Sequence, residues 1–365
     1  MKTIKRIAQV LAGIVCGIGC LELGIRTISP HAGSSFLFQA PENAPNGMYV
    51  RDNKLIYKPN PGFSAQSVSP GYSVPIRINS LSLRGGELME KTKERWLVMG
   101  DSFGFSAQVS EDDHFIGRLN ESSPIEFLNG GADGYGTWQS LIRYRSLKKK
   151  AQLDGLVVLF FVGNDFFDNQ HFEGMQRKAS SQQQGQPLLS KNKNPIELFI
   201  SRRSYLYAHW KIYQRAQKFQ HDPQAHSKWK SELMLYTQPN APQQMLDSTD
   251  RVFRELARSL PPQKLMVAIA SPYFVVEEER RETTFKMVQL SLKDVDVQRP
   301  ITHLTTILDK YQIPYCDLSP DLKMAHTNGT KQYLSFDGHW TIEGHQTVAK
   351  TINRCMSESF GISSK

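Results

Sequence analysis

Five short apolar runs, each continuous rather than alternating, recur between positions 95 and 318: RWLVMG from Arg95, IEFLN from Ile125, GLVVLFFVG from Gly155, KLMVAIA from Lys264 and IPYCDL from Ile313. A run of four to eight β-branched, aromatic and aliphatic residues without alternation suits a parallel strand covered on both faces. Helical patterns lie between the runs, at Trp138 to Lys150 after Thr137 as N-cap, Gln244 to Leu260, Ile301 to Tyr311 and Thr341 to Met356. Strand alternating with helix predicts an α/β fold, a doubly wound parallel five-stranded sheet in a flavodoxin-like three-layer α/β/α sandwich. Cys316 and Cys355 are the only cysteines in this part of the chain, too few for a disulfide scaffold, and a bond between the two is one option.

The first 28 residues read differently. Lys2, Lys5 and Arg6 precede an apolar stretch from Ile7 to Leu23, interrupted only by Gln9 and Glu22. Its length is near the lower limit for crossing a bilayer, about 17 residues. Positive charge ahead of it predicts a cytoplasmic N-terminus with the body beyond the membrane. A cleaved signal peptide and an uncleaved anchor share this pattern; no clean small-x-small cleavage site follows, because Glu22 and Arg26 intervene, so the favoured expectation is an uncleaved, single-pass anchor in the inner membrane carrying a periplasmic domain. Neither Cys16 nor Cys20 has a leucine three residues upstream, as a lipoprotein signal would require.

Residues 29–90 are rich in Pro, Gly, Ser and Asn and predict short strands or extended chain packed on the core. Residues 91–169 and 243–365 make the α/β domain, and 170–242 form a basic, mostly helical insertion that could serve as a lid or a docking face. Positions 171 to 230 hold eleven Lys and Arg against three Asp and Glu, which accounts for eight of the nine formal positive charges of the 365-residue chain. Such a segment suits nucleic acid, anionic lipid or an acidic glycan, and equally a solvated basic surface with no partner. Nucleic acid is not an expected partner, because no recognised binding motif is present.

In open parallel sheets, ligands bind beyond the C-terminal ends of the strands. Four polar groups fall there: Asp101 and Ser102 after the first run, NGGADGYGT (129–137) after the second, Asn164 and Asp165 after the third, and SFDGHWTIEGH (335–345) beyond the fifth. Singly, a serine after a strand is usually an N-cap, and glycines and asparagines usually serve turns. As an ordered set they are chemically complementary. A serine hydroxyl needs a base, which His339 can supply, and Asp337 can orient the imidazole. The amides of Ser102 and Gly131 and the side chain of Asn164 could donate to an oxyanion.

GDSFGFS, NGGADGYGT, VGNDFFDN and DGHWTIEGH together resemble the four blocks of the SGNH hydrolase superfamily, the GDSL-like lipases and esterases. The resemblance runs from about residue 78, at INSLSLRG, to 355. The LELGIR phrase at Leu21 is similar to the end of the anchor in membrane-bound bacterial members. It implies Ser102 as nucleophile, His339 as base, Gly131 and Asn164 in the oxyanion hole, Asp101 and Asp165 in support, and no metal or organic cofactor. One departure matters: Phe336 stands three residues before His339, where the acid usually lies, and Asp337 stands two before it. This D-x-H-W order resembles the branch that includes alginate acetylation proteins. The expected activity is therefore ester hydrolysis on an acylated carbohydrate or small ester, with glycan O-acetyl transfer through the same Ser-His-Asp site, or an inactive envelope binding protein, as alternatives.

Overall fold

The structure, a computed structural model, describes residues 2–28, 47–69, 72–176, 227–238, 242–287, 290–335 and 338–362, with scattered positions between 196 and 214. Two small antiparallel hairpins come first after the N-terminal helix α1 (Lys2–Ile28): β1 (Tyr49–Asp52) with β2 (Ile56–Pro59), and β3 (Ser64–Ser69) with β4 (Tyr72–Arg77). The core follows as β5 (Arg95–Met99), α2 (Ser102–Phe105), α3 (Phe115–Ser122), β6 (Glu126–Asn129), α4 (Thr137–Leu147), β7 (Gly155–Phe161) and α5 (Asp165–Gln176). After the insertion, which ends in α6 (Ser227–Thr237), come α7 (Gln243–Ser259), β8 (Leu265–Ala270), α8 (Tyr273–Val276), α9 (Glu278–Met287), α10 (Arg299–Lys310), β9 (Tyr315–Asp317), α11 (Ser319–Thr327) and α12 (Ile342–Phe360).

All five core strands are parallel, in the order β6-β5-β7-β8-β9. This is the flavodoxin-like doubly wound order, with its switch point between β5 and β7. Period-two alternation splits each strand between two cores. Trp96, Val98, Val157, Leu159, Met266 and Ala268 pack with Phe115 and Leu119 of α3 and Val348 and Ile352 of α12. Leu97, Met99, Leu156, Val158, Val267 and Ile269 pack with Leu141 of α4, Phe253 of α7 and Leu304 of α10. The register at the switch point depends on Gly155. It pairs with Trp96, and a Cβ there would stand 2.3 Å from the indole ring.

Thr137 is not the N-cap of α4. Gly136 holds that position; its N–H donates to Gln139 Oε1 at 2.9 Å, and the first-turn amide of Trp138, with no cap side chain to take it, donates to Asn169 Oδ1 at 3.3 Å. Cys316 of β9 and Cys355 of α12 form a disulfide, settling the option left by their number. Part of the insertion belongs to the core: Leu233, Leu235 and Tyr236 of α6 are buried, and Tyr236 Oη donates to Val162 O at 3.1 Å. α1 is long and apolar enough to cross a membrane.

Candidate active site

β5 ends at Met99, and Gly100 lets the chain pass over β7, where a Cβ would meet Leu159 at 3.0 Å. The turn into α2 leaves the serine hydroxyl uncommitted to the helix. Asp101 is the N-cap, with Oδ1 accepting from Phe103 N at 2.8 Å. Ser102 is the first helical residue, so its hydroxyl has no capping duty and its amide has no intrahelical acceptor. The hydroxyl instead meets the imidazole of His339, 237 residues later, with Oγ 2.8 Å from Nε2.

His339 is delivered by a tight loop. Leu334 N donates to His339 O at 2.7 Å, Gly338 N donates to Leu334 O, and Gly338 takes φ +74°, which favours glycine. The Arg280 guanidinium lies 3.8 Å from the Tyr273 ring centroid and donates to Ser335 O, clamping this loop from α9. Thr341 caps α12 by accepting from Gly344 N at 3.0 Å. The imidazole is itself packed. Phe103 lies 4.6 Å from its centroid, stacks on Phe161 at 4.2 Å and meets Trp340 edge-on at 4.8 Å. His339 is 2 % exposed, unlike a surface histidine near a terminal helix. Asp337 lies outside the described residues.

The turn after β6 closes on α2 from the other side. A Cβ on Gly131 would fall 2.4 Å from Gly104 C and Phe105 N, so only glycine permits this approach. Gly131 N donates to Asn129 Oδ1 at 3.0 Å. Asn164 follows β7, its Oδ1 buried without a hydrogen-bond partner among the described residues, and its backbone carbonyl accepts from Asp168 N at 2.9 Å. Asp165 opens α5 and accepts from Phe161 N at 3.0 Å.

The electrostatics beneath the site are acidic. Burial pushes the Asp101 carboxyl up to about 7, against the lowering pull of the Phe103 amide and of His339. Burial also raises Asp165 well above the usual carboxylate range, with Asp101 and Asp168 adding to the effect. Asp101 Oδ2 and Asp165 Oδ1 have no hydrogen-bond partner among the described residues. Charging both in a dry setting is costly, which favours a proton on the group.

Several supports lie outside the four blocks. Arg84, at the end of INSLSLRG, is buried and donates to the carbonyls of Phe105, Ser106 and Val109, where the carbonyls ending α2 favour a cation. His114 Nδ1 accepts from Ile116 N at 3.0 Å, which puts the proton on Nε2, 3.1 Å from Gly104 O. The β1–β2 hairpin braces the 129–137 turn. Tyr57 Oη donates to Asp133 O, Asp133 N donates to Tyr49 Oη at 3.0 Å, and Tyr135 Oη donates to Tyr57 O at 2.6 Å.

No family model matches the chain, and no curated protein does. Among solved structures it is similar to LAE5, an α/β hydrolase from the metagenome of Lake Arreo, Spain, at 10% identity and TM-score 0.37 over 72% of this chain and 95% of that one. It is similar to a lipase/acylhydrolase from Enterococcus faecalis at 13% identity and TM-score 0.38, covering 74% and 98%. It is also similar to a catalytic mutant of Axe2, an acetylxylan esterase from Geobacillus stearothermophilus, at 11% identity and TM-score 0.38, covering 73% and 96%. Identity this low leaves the reading of the site to its own geometry.

Proposed function

We propose that the chain is a membrane-tethered serine ester hydrolase that works through an acyl-enzyme on O-acyl groups, O-acetyl foremost, of an envelope glycan or a small ester. The observation that carries this is the 2.8 Å contact between Ser102 Oγ and His339 Nε2 at the C-terminal edge of the sheet, with Asp101 doing the capping that would otherwise occupy the serine. The resemblance of the four sequence blocks to SGNH hydrolases supports the same assignment.

In this mechanism His339 takes the Ser102 proton as Oγ attacks the ester carbonyl. The imidazolium then protonates the departing alcohol oxygen, leaving the acyl group on Ser102. Water enters, gives its proton to His339, and attacks the acyl carbonyl. The carboxylic acid leaves and Ser102 recovers its proton. The negative charge on the carbonyl oxygen in each step is met by the amides of Ser102 and Gly131 and the side chain of Asn164. The Gly131 N–H, held by Asn129 at rest, is shared with that oxygen or passes to it. Losing one such donor typically costs about 3 to 4 kcal/mol in the barrier. Asp337 orients the imidazole and stabilises its charged form, and Asp101 and Asp165 hold the two turns.

Purified protein incubated with p-nitrophenyl acetate, alone and with an acceptor oligosaccharide, tests this reading. Free acetate in both cases supports hydrolysis. Acetylated sugar assigns the same residues to transfer, and no p-nitrophenol release from any activated ester overturns the enzyme reading.

A further inference from the structure

Glu22 is the one acid in the apolar stretch of α1, and its carboxylate is fully engaged by the insertion. Ser204 Oγ donates to it at 2.8 Å, Tyr205 N at 2.8 Å and Leu206 N at 2.9 Å, while Arg26 pairs with it from the same helix at 2.9 Å. Glu22 thus caps the turn at Ser204–Tyr207 from outside, and Arg26 stacks over the Tyr205 ring at 4.9 Å. Read as an anchor, α1 fixes the depth of this contact. At 1.5 Å per residue the apolar stretch from Ile7 to Leu23 runs about 24 Å, and Glu22 is its penultimate residue, at the end away from the N-terminal charges. The hydrocarbon core of a bilayer is about 30 Å thick. The turn at Ser204 therefore sits where acyl chains give way to headgroups.

The neighbouring side chains suit that level. Ile196, Phe199 and Ile200 are helical, share one face by their i, i+3, i+4 spacing, and are 66, 60 and 38 % exposed. Trp210 is 48 % exposed, and its ring lies 5.6 Å from that of Tyr207. Tryptophan and tyrosine concentrate at membrane–water interfaces, where an apolar ring body meets a polar edge. The sequence around them supplies Arg202, Arg203, Lys211, Arg215 and Lys218 with only Glu197 in opposition from 196 to 218. Cations so grouped are drawn to anionic headgroups.

We infer that the insertion lies on the bilayer beside the anchor through Ile196, Phe199, Ile200, Tyr207 and Trp210, inserting Phe199, Ile200 and Trp210 among anionic phospholipid headgroups and holding the α/β domain against the membrane surface. The inference rests on reading α1 as an anchor and is independent of the esterase reading. It gives the basic insertion a partner, the lipid surface.

Full-length protein reconstituted into vesicles of phosphatidylcholine and phosphatidylglycerol tests it, with lipids brominated near the headgroup end or near the tail end of the acyl chain. Flotation reports on the anchor alone. The fluorescence difference between wild type and Trp210→Phe isolates Trp210. Its emission is expected to lose at least half its intensity with headgroup-end bromine and less with tail-end bromine, and Glu22→Ala should weaken that quenching. Protein that floats while neither lipid quenches Trp210 overturns the inference and leaves the anchor standing. Protein that fails to float overturns both.

Discussion

The Phe103 ring lies 4.6 Å from the imidazole of His339, one residue along the chain from the serine that the imidazole touches. The contact between serine and imidazole is thus braced by a side chain belonging to neither. Phe103 is 3 % exposed and wedged between Phe161 and Trp340. Phe103→Leu keeps most of the volume but gives up its aromatic contacts, each worth about 0.5 to 1.5 kcal/mol, so a moderate stability loss is expected. Its effect on rate should be larger, because small misplacements of reacting groups are expensive. A drop in kcat of about tenfold or more with little change in KM is expected in steady-state kinetics on p-nitrophenyl acetate.

Tyr57 offers a test of the hairpin's contribution. Its hydroxyl donates to Asp133 O in the turn that carries Gly131. Tyr57→Phe removes one hydrogen bond and strands the carbonyl, a loss of about 1 to 3 kcal/mol. The expected result is a lower kcat at nearly unchanged KM, with a melting temperature reduced by only a few degrees. Unchanged kcat would show that the hairpin supports the fold and not the turn.

Asp101 predicts a pH signature. Its carboxyl binds a proton more tightly folded than unfolded, being raised from an ordinary 3.8 to about 7. Between these values the folded state carries the extra proton, so stability falls as pH rises through this window and levels off above it. Asp165, raised for the same reason, acts in the same direction. Asn also caps helices well, so Asp101→Asn should keep α2 while removing one share of this slope. Its melting temperature relative to wild type should climb between about pH 4 and pH 7. A constant difference across that range would contradict the assignment.

The Cys316–Cys355 bond closes a loop of 39 residues between β9 and α12. By chain entropy such a cross-link stabilises by about 4 kcal/mol. Cys355→Ser should lower the melting temperature clearly, and reductant should move the wild type towards the variant while leaving the variant unchanged. A disulfide at this place suits an oxidising compartment.

What could be read from the chain before folding was whatever is local or strand-bound. The five core strands announce themselves because burial on both faces leaves no polar position in runs such as LVVLFF. Ser102 and His339 are legible because each sits in a short block next to a strand or helix end, and the four blocks keep their order. The supports are not legible. Tyr57 reaches Asp133 across 76 positions, and Arg84 reaches Phe105 across 21, through contacts that no spacing encodes. Thr137 looked like a cap by residue type, yet Gln139 satisfies the Gly136 amide from inside the helix, a choice made by side-chain reach. The tie between Glu22 and Ser204 spans 182 residues and joins two segments whose compositions give no hint of each other.

The Ser102–His339 pair is most directly tested by labelling with a fluorophosphonate probe, read by mass spectrometry of the Ser102 peptide. Wild-type protein should carry one adduct, on Ser102. Ser102→Ala should carry none, and His339→Ala should label far more slowly while remaining folded. Labelling of Ser102→Ala to the wild-type extent, or wild-type rates in His339→Ala, would contradict a nucleophile activated by that histidine.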